Sequence, residues 1–455
     1  MAGSTIYALS TPAPTRASPG ALAVIRISGP RADEALIFLT EPQAFERGRS
    51  VRDPALPPPR RMSVRPLIDP ATGEEIDRGL VVWFVGPNTE TGETMAELHS
   101  HGGRAVVGAL LDAVGKLGFC RLAEPGEFTR RAFENGKLDL TRAEGVADLV
   151  AAETGQQRRQ ALAQMDGALH RLYEEWRTLG LRTLAHLEAA IDFPDEDLPK
   201  GIDRRVTGEI VELAKQIESH LADHRGERLR QGVSIAIVGP PNAGKSSLLN
   251  LLARRDAAIV AETAGTTRDV IEVHLDLGGW PVTLADTAGL REASDPIELE
   301  GVRRARARAD QADLRLLVVA ADDPTWRETV ALWMPERTIF VLNKIDLAAG
   351  KPGDFKGVTV SAKTGDGVPK LLECLQIAVT EAFESGAAAP PLTRARHREA
   401  LREAHAALLR AREAPEIALA AEDLRLAMRA IGRITGAVRI DELLDVIFRD
   451  FCIGK

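Results

Sequence analysis

Gly239-Pro240-Pro241-Asn242-Ala243-Gly244-Lys245-Ser246 has the spacing G-x-x-x-x-G-K-[ST], in which glycines let successive backbone N–H groups curl around an anion and a lysine adds a point charge. An apolar run, Ile235 to Val238, precedes it and a helix-forming stretch begins near Ser247, so the loop opens a helix whose positive end faces the anion. In that frame Asn242, Ala243, Gly244, Lys245, Ser246 and Ser247 surround a phosphate chain. Lys245 reaches its β and γ groups, and the Ser246 hydroxyl ligates Mg²⁺. The plain alternative, a glycine-rich turn between strand and helix, lacks a reason for the lysine and the serine.

Three further segments follow in a fixed order. Asp286-Thr287-Ala288-Gly289 closes the apolar run Val282 to Ala285, which places a carboxylate near the magnesium shell and a glycine N–H near the γ-phosphate. Asn343-Lys344-Ile345-Asp346 closes the run Ile339 to Leu342. Its aspartate can accept two hydrogens from the N1 and N2 edge of guanine, a donor pair that adenine lacks. Ser361-Ala362-Lys363 after Val358 to Val360 completes a base pocket. Between the first helix and the second strand, Gly265-Thr266-Thr267-Arg268-Asp269 occupies the place of a loop that senses the γ-phosphate, with Thr267 as a second magnesium ligand. Each tetrapeptide alone is an ordinary strand-end turn; their shared order points to a GTP-hydrolysing site. The glutamine that often orients the attacking water after D-x-x-G is replaced by Leu290, which cannot hydrogen-bond. Glu292, Asp295, Glu298 and Glu300 follow, and spacing does not choose among them.

The elements that position these groups follow from hydrophobic periodicity. From Val233 onward short apolar runs alternate with helix-length segments, the signature of a parallel-sheet α/β domain. Before it, Ile210, Leu213, Ala214, Ile217 and Leu221 recur at helical spacing. After the small-residue stretch Ser385 to Ala389, Leu424, Ala427, Met428 and Ile431 do so again. Helices on both sides of an α/β insert imply one helical domain made from two separated pieces. The segment from Asp192 to Pro199, with two prolines and clustered acids, reads as a loop. The first part of the chain mixes β-rich runs, Ala23 to Ile27 and Leu80 to Val85, with proline-rich breaks, and reads as α+β. The expected domains are residues 1–122 (α+β), 123–228 (helical, first piece), 229–385 (G domain) and 386–455 (helical, second piece).

At 455 residues the chain suits about three domains of roughly 150 each. No apolar run reaches membrane-spanning length and the N-terminus lacks the basic and apolar regions of a secretory signal, so a soluble, cytoplasmic protein is expected. Cys120, Cys374 and Cys452 stand far apart, which argues against a zinc site or a disulfide framework. A net charge of −8 has the wrong sign for holding nucleic acid by bulk electrostatics, leaving only local basic faces. Arg303, Arg304, Arg306 and Arg308 are one such run, read first as a solvated helix face.

The chain as a whole resembles the tRNA-modification GTPase family called MnmE or TrmE. Beyond the G motifs, four features carry the resemblance: Val24-Ile25-Arg26-Ile27-Ser28-Gly29; Thr91-Gly92-Glu93 with Glu97-Leu98 to His101-Gly102-Gly103; Pro125-Gly126-Glu127-Phe128 to Asn135-Gly136-Lys137-Leu138-Asp139-Leu140; and the terminal Phe451-Cys452-Ile453-Gly454-Lys455. The resemblance implies a homodimer joined through N-terminal domains, with K⁺ standing in for an arginine finger. The cation's ligands would be Asn242 and loop oxygens at Ala261, Thr263 and Thr266, within a nucleotide-binding stretch that also takes in Glu262, Ala264, Gly265 and Thr267. A fixed cation there stabilises charge developing on the phosphates. It implies Glu298 as the acid that positions water, and a 5-formyl- or methylene-tetrahydrofolate held by Arg26, Glu97, Lys137 and Lys455. It further implies an FAD-dependent partner resembling MnmG, joined in a heterotetramer, and tRNA wobble uridine as the modified group. Cys452 matches a cysteine proposed to take part in that modification, although a lone cysteine in an apolar tail is otherwise a small packed residue. Two rivals remain in view: a ribosome-assembly GTP switch, which the folate-like N-terminal segment argues against, and a scaffold with an inactive G domain, which Lys245, Ser246, Thr267, Asp286 and Asp346 argue against.

Overall fold

The computed structural model describes residues 3–16, 18, 20–41, 56–192, 202–255, 258, 272–286, 312–332, 336–348, 355–383, 390–438, 444, 447–448, 451 and 454. The chain divides into two compact units, Met1–Ala147 with Gly432–Lys455, and Asp148–Ile431.

In the first unit six strands form one sheet in the order β3-β4-β5-β2-β1-β6. They are β1 (Thr5–Leu9), β2 (Leu22–Ser28), β3 (Ser63–Ile68), β4 (Glu75–Phe84), β5 (Met95–His101) and β6 (Cys120–Leu122). All neighbours pair antiparallel except β1 and β6. Helices α1 (Ala32–Thr40) and α2 (Arg104–Gly115) supply Leu36, Leu39, Leu110 and Val114 to the core under Ile25, Ile27 and Leu98. Along β2 the buried residues alternate, Ala23, Ile25 and Ile27 facing that core, so Arg26 faces the other way. On that side Ile6, Ala8 and Ala123 pack with Phe128 of α3 (Glu127–Glu134). A third cluster joins Phe133, Leu140 and Ala143 to Leu444, Ile447, Phe448 and Phe451, so the chain's last stretch returns to the unit in which it began. Leu140 opens α4 (Leu140–Val150).

The second unit starts with helices. Thr154 and Gln157 form a reciprocal capping box at the head of α5 (Gly155–Met165). Then come α6 (Ala168–Asp192), α7 (Ile202–Ala222) and the short α8 (Arg225–Gln231). Ile210, Leu213, Ala214 and Ile217 are buried at the spacing read from the sequence, with Leu221 half-buried at the end of the stripe. The α/β insert is a six-stranded sheet in the order β12-β11-β10-β7-β9-β8. Its strands are β7 (Val233–Val238), β8 (Glu272–Leu277), β9 (Trp280–Asp286), β10 (Leu314–Ala320), β11 (Thr338–Asn343) and β12 (Val358–Thr359). Only β8 runs antiparallel. The central strands are continuous apolar runs because both faces are covered. Leu248, Leu249 and Leu252 of α9 (Lys245–Leu252) and Leu371, Leu375 and Val379 of α11 (Val368–Phe383) lie on one side. Trp326 and Val330 of α10 (Trp326–Ala331) lie on the other with Phe355.

The helices then resume. Helix α12 (Ala395–Glu413) packs on α7, and α13 (Ile417–Thr435) buries Leu424, Ala427, Met428 and Ile431. Gly180 of α6 leaves room for Met428, whose sulfur would lie 2.2 Å from an added Cβ. The bundle core also holds a polar aromatic cluster. Tyr173 Oη and His220 Nε2 are 3.3 Å apart, and the rings of Trp176 and His397 stand edge-on to their neighbours. Consecutive residues of α8 reach different partners. Glu227 accepts from Arg398 of α12, and Arg228 reaches Asp313, whose other oxygen accepts from the Ser234 amide at the start of β7.

Candidate functional site

The phosphate loop is shaped by residues that no side chain could replace. Gly239, at φ +142°, lies so close to β10 that an added Cβ would come within 2.0 Å of the Val318 carbonyl oxygen. Asn242 adopts φ +59° at the exposed crest, Ala243 is buried beneath it, and Gly244, at φ +88°, leads into α9. Lys245 is buried and folds back along its own loop, its Nζ donating to the carbonyls of Gly239 at 3.0 Å and Pro240 at 2.8 Å. Those bonds fix the ammonium at the mouth of the loop, where a phosphate would meet it. Ser246 and Ser247 are exposed at the helix N-terminus.

Asn343 joins this loop to the base pocket. The last residue of β11 and almost wholly buried, it donates from Nδ2 to the Ala243 carbonyl at 2.9 Å, while its Oδ1 accepts from the Ala362 amide at 3.0 Å. A Cβ at position 244 would lie 2.3 Å from Nδ2, so Gly244 is also what lets this strap pass. Lys344 then turns the chain through φ +61° into a single turn, Ile345–Leu347, which presents Asp346. The Asp346 carboxylate is exposed and accepts from Ser361 Oγ at 2.7 Å, and the same Ser361 oxygen accepts from the Thr364 amide. Lys363 is exposed beside them. Three segments, the first two 100 residues apart and the last two 19, thus meet at the C-terminal edge of the sheet, where ligands of open α/β folds bind.

Other expected residues sit as follows. Asp286 ends β9 with its backbone opposite Ile237 of β7. Ala261, Glu262, Thr263, Ala264, Gly265, Thr266, Thr267, Thr287, Ala288, Gly289 and Glu298 lie outside the described residues, as do Arg303, Arg304, Arg306, Arg308, Cys452 and Lys455. Burial pushes the Cys120 thiol up to about 12, which leaves it unreactive, and Cys374 is half-buried.

The N-terminal unit holds a separate constellation. Arg26 of β2 stands directly across from Glu97 of β5, with Nε 3.3 Å from Oε1, and its NH1 lies 2.9 Å from Glu90. His99 Nε2 is 3.2 Å from the other Glu97 oxygen, and the Arg26 guanidinium lies 5.8 Å from the Phe128 ring centroid. Lys137 is half-buried in the turn after α3. Asn135 in that turn donates to the Thr91 carbonyl at 2.7 Å, and Gly92, at φ +81°, has no space for a Cβ against it. Two motifs far apart in sequence therefore make one wall.

Sequence reading missed what holds that wall. Arg131, buried, donates to Glu93 at 2.9 Å, to Glu127 at 3.0 Å and to the Ser4 carbonyl, while Ser28 donates to Glu93 and meets Thr91 at 2.8 Å. Burial alone would raise the Glu127 carboxyl, but bonds from Arg121, the Glu124 amide and Arg131 hold it below the ordinary carboxylate range. The available signal was an arginine at helical spacing among Phe128, Ala132 and Phe133.

Residues 5–137 match the family described as GTP-binding protein TrmE N-terminus, and residues 140–452 match the MnmE helical domain. Among solved structures, the G domain of the T. maritima FeoB iron transporter is 26% identical, over 33% of this chain and 99% of that one, at a TM-score of 0.25. The tRNA modification GTPase MnmE of Parvibaculum lavamentivorans is 54% identical over 456 residues, 99% of this chain and 100% of that protein. Its counterpart from Rhodospirillum rubrum is 54% identical over 462 residues, at 99% and 100% coverage, and that from Granulibacter bethesdensis 48% identical over 460, at 100% of both. Covered over 99% or more of its length by these relatives, and over residues 5–137 and 140–452 by the two family matches, the chain belongs to the tRNA modification GTPase MnmE family.

Proposed function

We propose that this GTPase hydrolyses GTP with Mg²⁺ and K⁺ and, with an FAD-dependent partner resembling MnmG, installs a carboxymethylaminomethyl-type group on the wobble uridine of certain tRNAs. The observation that carries the reading is the Asn343 strap, which makes the phosphate loop and the base pocket one structure. The residues fit the nucleotide. Two glycines stand where a Cβ would strike the strand or the strap, Lys245 is aimed by loop carbonyls, and Asp346 is steadied by Ser361. Ser246 and Thr267 would hold Mg²⁺, and Asp286 would face its water shell. Asn242, with Ala261, Thr263 and Thr266, would hold K⁺ near the β and γ phosphates, and Glu298 would orient the attacking water in place of the absent glutamine.

In the N-terminal unit Arg26 and Lys137 suit the carboxylates of a tetrahydrofolate, and Glu97 suits the N–H edge of its pterin, with Lys455 closing the set. This reading assigns residues 1–122 to folate binding and dimerisation, 229–385 to the G domain, and 123–228 with 386–455 to the helical domain that carries Cys452. It places a homodimer in the cytoplasm. No helix among the described residues is long and apolar enough to cross a membrane.

Two measurements decide it. Replacing Na⁺ by K⁺ at fixed ionic strength should raise GTP turnover about tenfold or more, the scale of a fixed charge at a phosphoryl transition state; equal rates would remove the cation. Nucleoside analysis of tRNA from cells lacking this chain should find the wobble uridines unmodified. Normal uridines would leave the ribosome-assembly switch standing instead.

A further inference from the structure

Strands β10 and β11 end side by side at the nucleotide edge of the sheet, with Ala320 opposite Asn343 and the Ala321 amide donating to the Asn343 carbonyl at 2.8 Å. Just beyond these ends come two opposite charges, Lys344 directly after β11 and Asp322 two residues after β10. Lys344 Nζ lies 3.1 Å from one oxygen of Asp322 and 3.3 Å from the other. The lysine backbone is left-handed, which costs an ordinary residue about 1 kcal/mol or more and persists only where the surroundings enforce it. Three groups do so: Asn343 locked behind it, the Ile345 amide bonded to the Val360 carbonyl ahead of it, and Asp322 at the tip of the side chain. Asp323, the neighbouring acid, has a different task, accepting from the Thr325 amide at 2.9 Å and hydroxyl at 2.7 Å where α10 begins.

We propose that Asp322 is a positioning residue for the guanine pocket. By holding the ammonium, it stretches the four-carbon stem of Lys344 between the ends of β11 and β10. The stem is then the apolar wall for the flat face of the base, whose N1 and N2 edge goes to Asp346. Asp322 itself does not touch the nucleotide. The ion pair is partly exposed, at 29% for Lys344 and 40% for Asp322, so it adds little to global stability and its effect falls on the base contact.

The test uses the full chain and fluorescent GDP, with GTP turnover in parallel. Asp322→Asn and Asp322→Ala should each weaken GDP binding and raise the KM for GTP roughly fivefold, the scale of one partly screened ion pair, with kcat within twofold. Asp322→Glu should restore affinity to within twofold. In a Lys344→Met background, where no ammonium remains to be held, the Asp322→Asn penalty should vanish. Unchanged affinity in the Asn and Ala variants overturns the proposal, as does an equal penalty in the Lys344→Met background. The inference rests on Asp346 as the guanine-reading residue. A parent protein that binds ATP as well as GTP would defeat both, whereas a guanine-selective parent with indifferent Asp322 variants defeats this one alone.

Discussion

Lys245→Ala is expected to reduce GTP turnover by about a thousandfold while the fold survives. The ammonium supplies the one charge-assisted contact in the described loop that can follow the β and γ phosphates into the transition state, and such contacts are worth several kcal/mol in a water-poor site. The same side chain satisfies the carbonyls of Gly239 and Pro240, so its removal also exposes two acceptors. That costs on the order of 1–3 kcal/mol unless water replaces the amine. The two effects are separable. Circular dichroism should retain the parent's helix and sheet signal, and calorimetric titration should find GTP affinity lowered by about a hundredfold. Turnover within tenfold of the parent, in a folded protein, would mean that the loop does not use this lysine for phosphate.

The second large effect concerns the helical bundle and acid. Burial is the main reason that the His220 imidazole titrates at about 4 instead of 6.5. Asp223 pulls the other way, and His397 and Arg398 add to the depression. Tyr173 also meets the ring, at Nε2. Because the folded pKa lies below the unfolded one, the unfolded chain takes the proton first. The contribution is therefore whole above pH 6.5, falls as pH drops toward 4, and is flat below that. The full loss is about 3 kcal/mol, of which about 2 kcal/mol is gone by pH 5. Urea unfolding followed by tryptophan fluorescence, to which Trp176 beside His220 contributes, should register this slope between pH 7 and 5. His220→Gln, which cannot titrate, should flatten it; an identical slope in parent and variant would assign the acid sensitivity elsewhere.

Much of the α/β insert was legible because its signals are local. Apolar runs such as Ile235 to Val238 and Leu316 to Val319 fall within strands, and Gly239, Asp286 and Asn343 stand at the ends of theirs. Helical spacing likewise placed Ile210, Leu213 and Ile217 on the buried side of α7. What the sequence withheld is non-local. Nothing near Thr5 announces that β1 pairs parallel with β6, more than a hundred residues on, and nothing near Gly239 announces the Val318 carbonyl against it. Asn343 was legible as part of a base-reading motif, but its two-handed bond to Ala243 and Ala362 depends on three strands arriving together. Arg131 offered only its place among apolar helix residues as a signal, since its partners Glu93, Glu127 and Ser4 come from three segments.

The interrupted bundle has a consequence for biosynthesis. Tyr173, Trp176 and His220 leave the ribosome on α6 and α7, whereas His397 and Arg398, which complete their surroundings, lie beyond the entire α/β insert. At ~5–20 residues per second the nascent chain must carry this cluster uncovered for roughly ten seconds or more. The insert brings its own hydrophobic core and can close meanwhile, so α12 finishes a structure begun by α6 and α7.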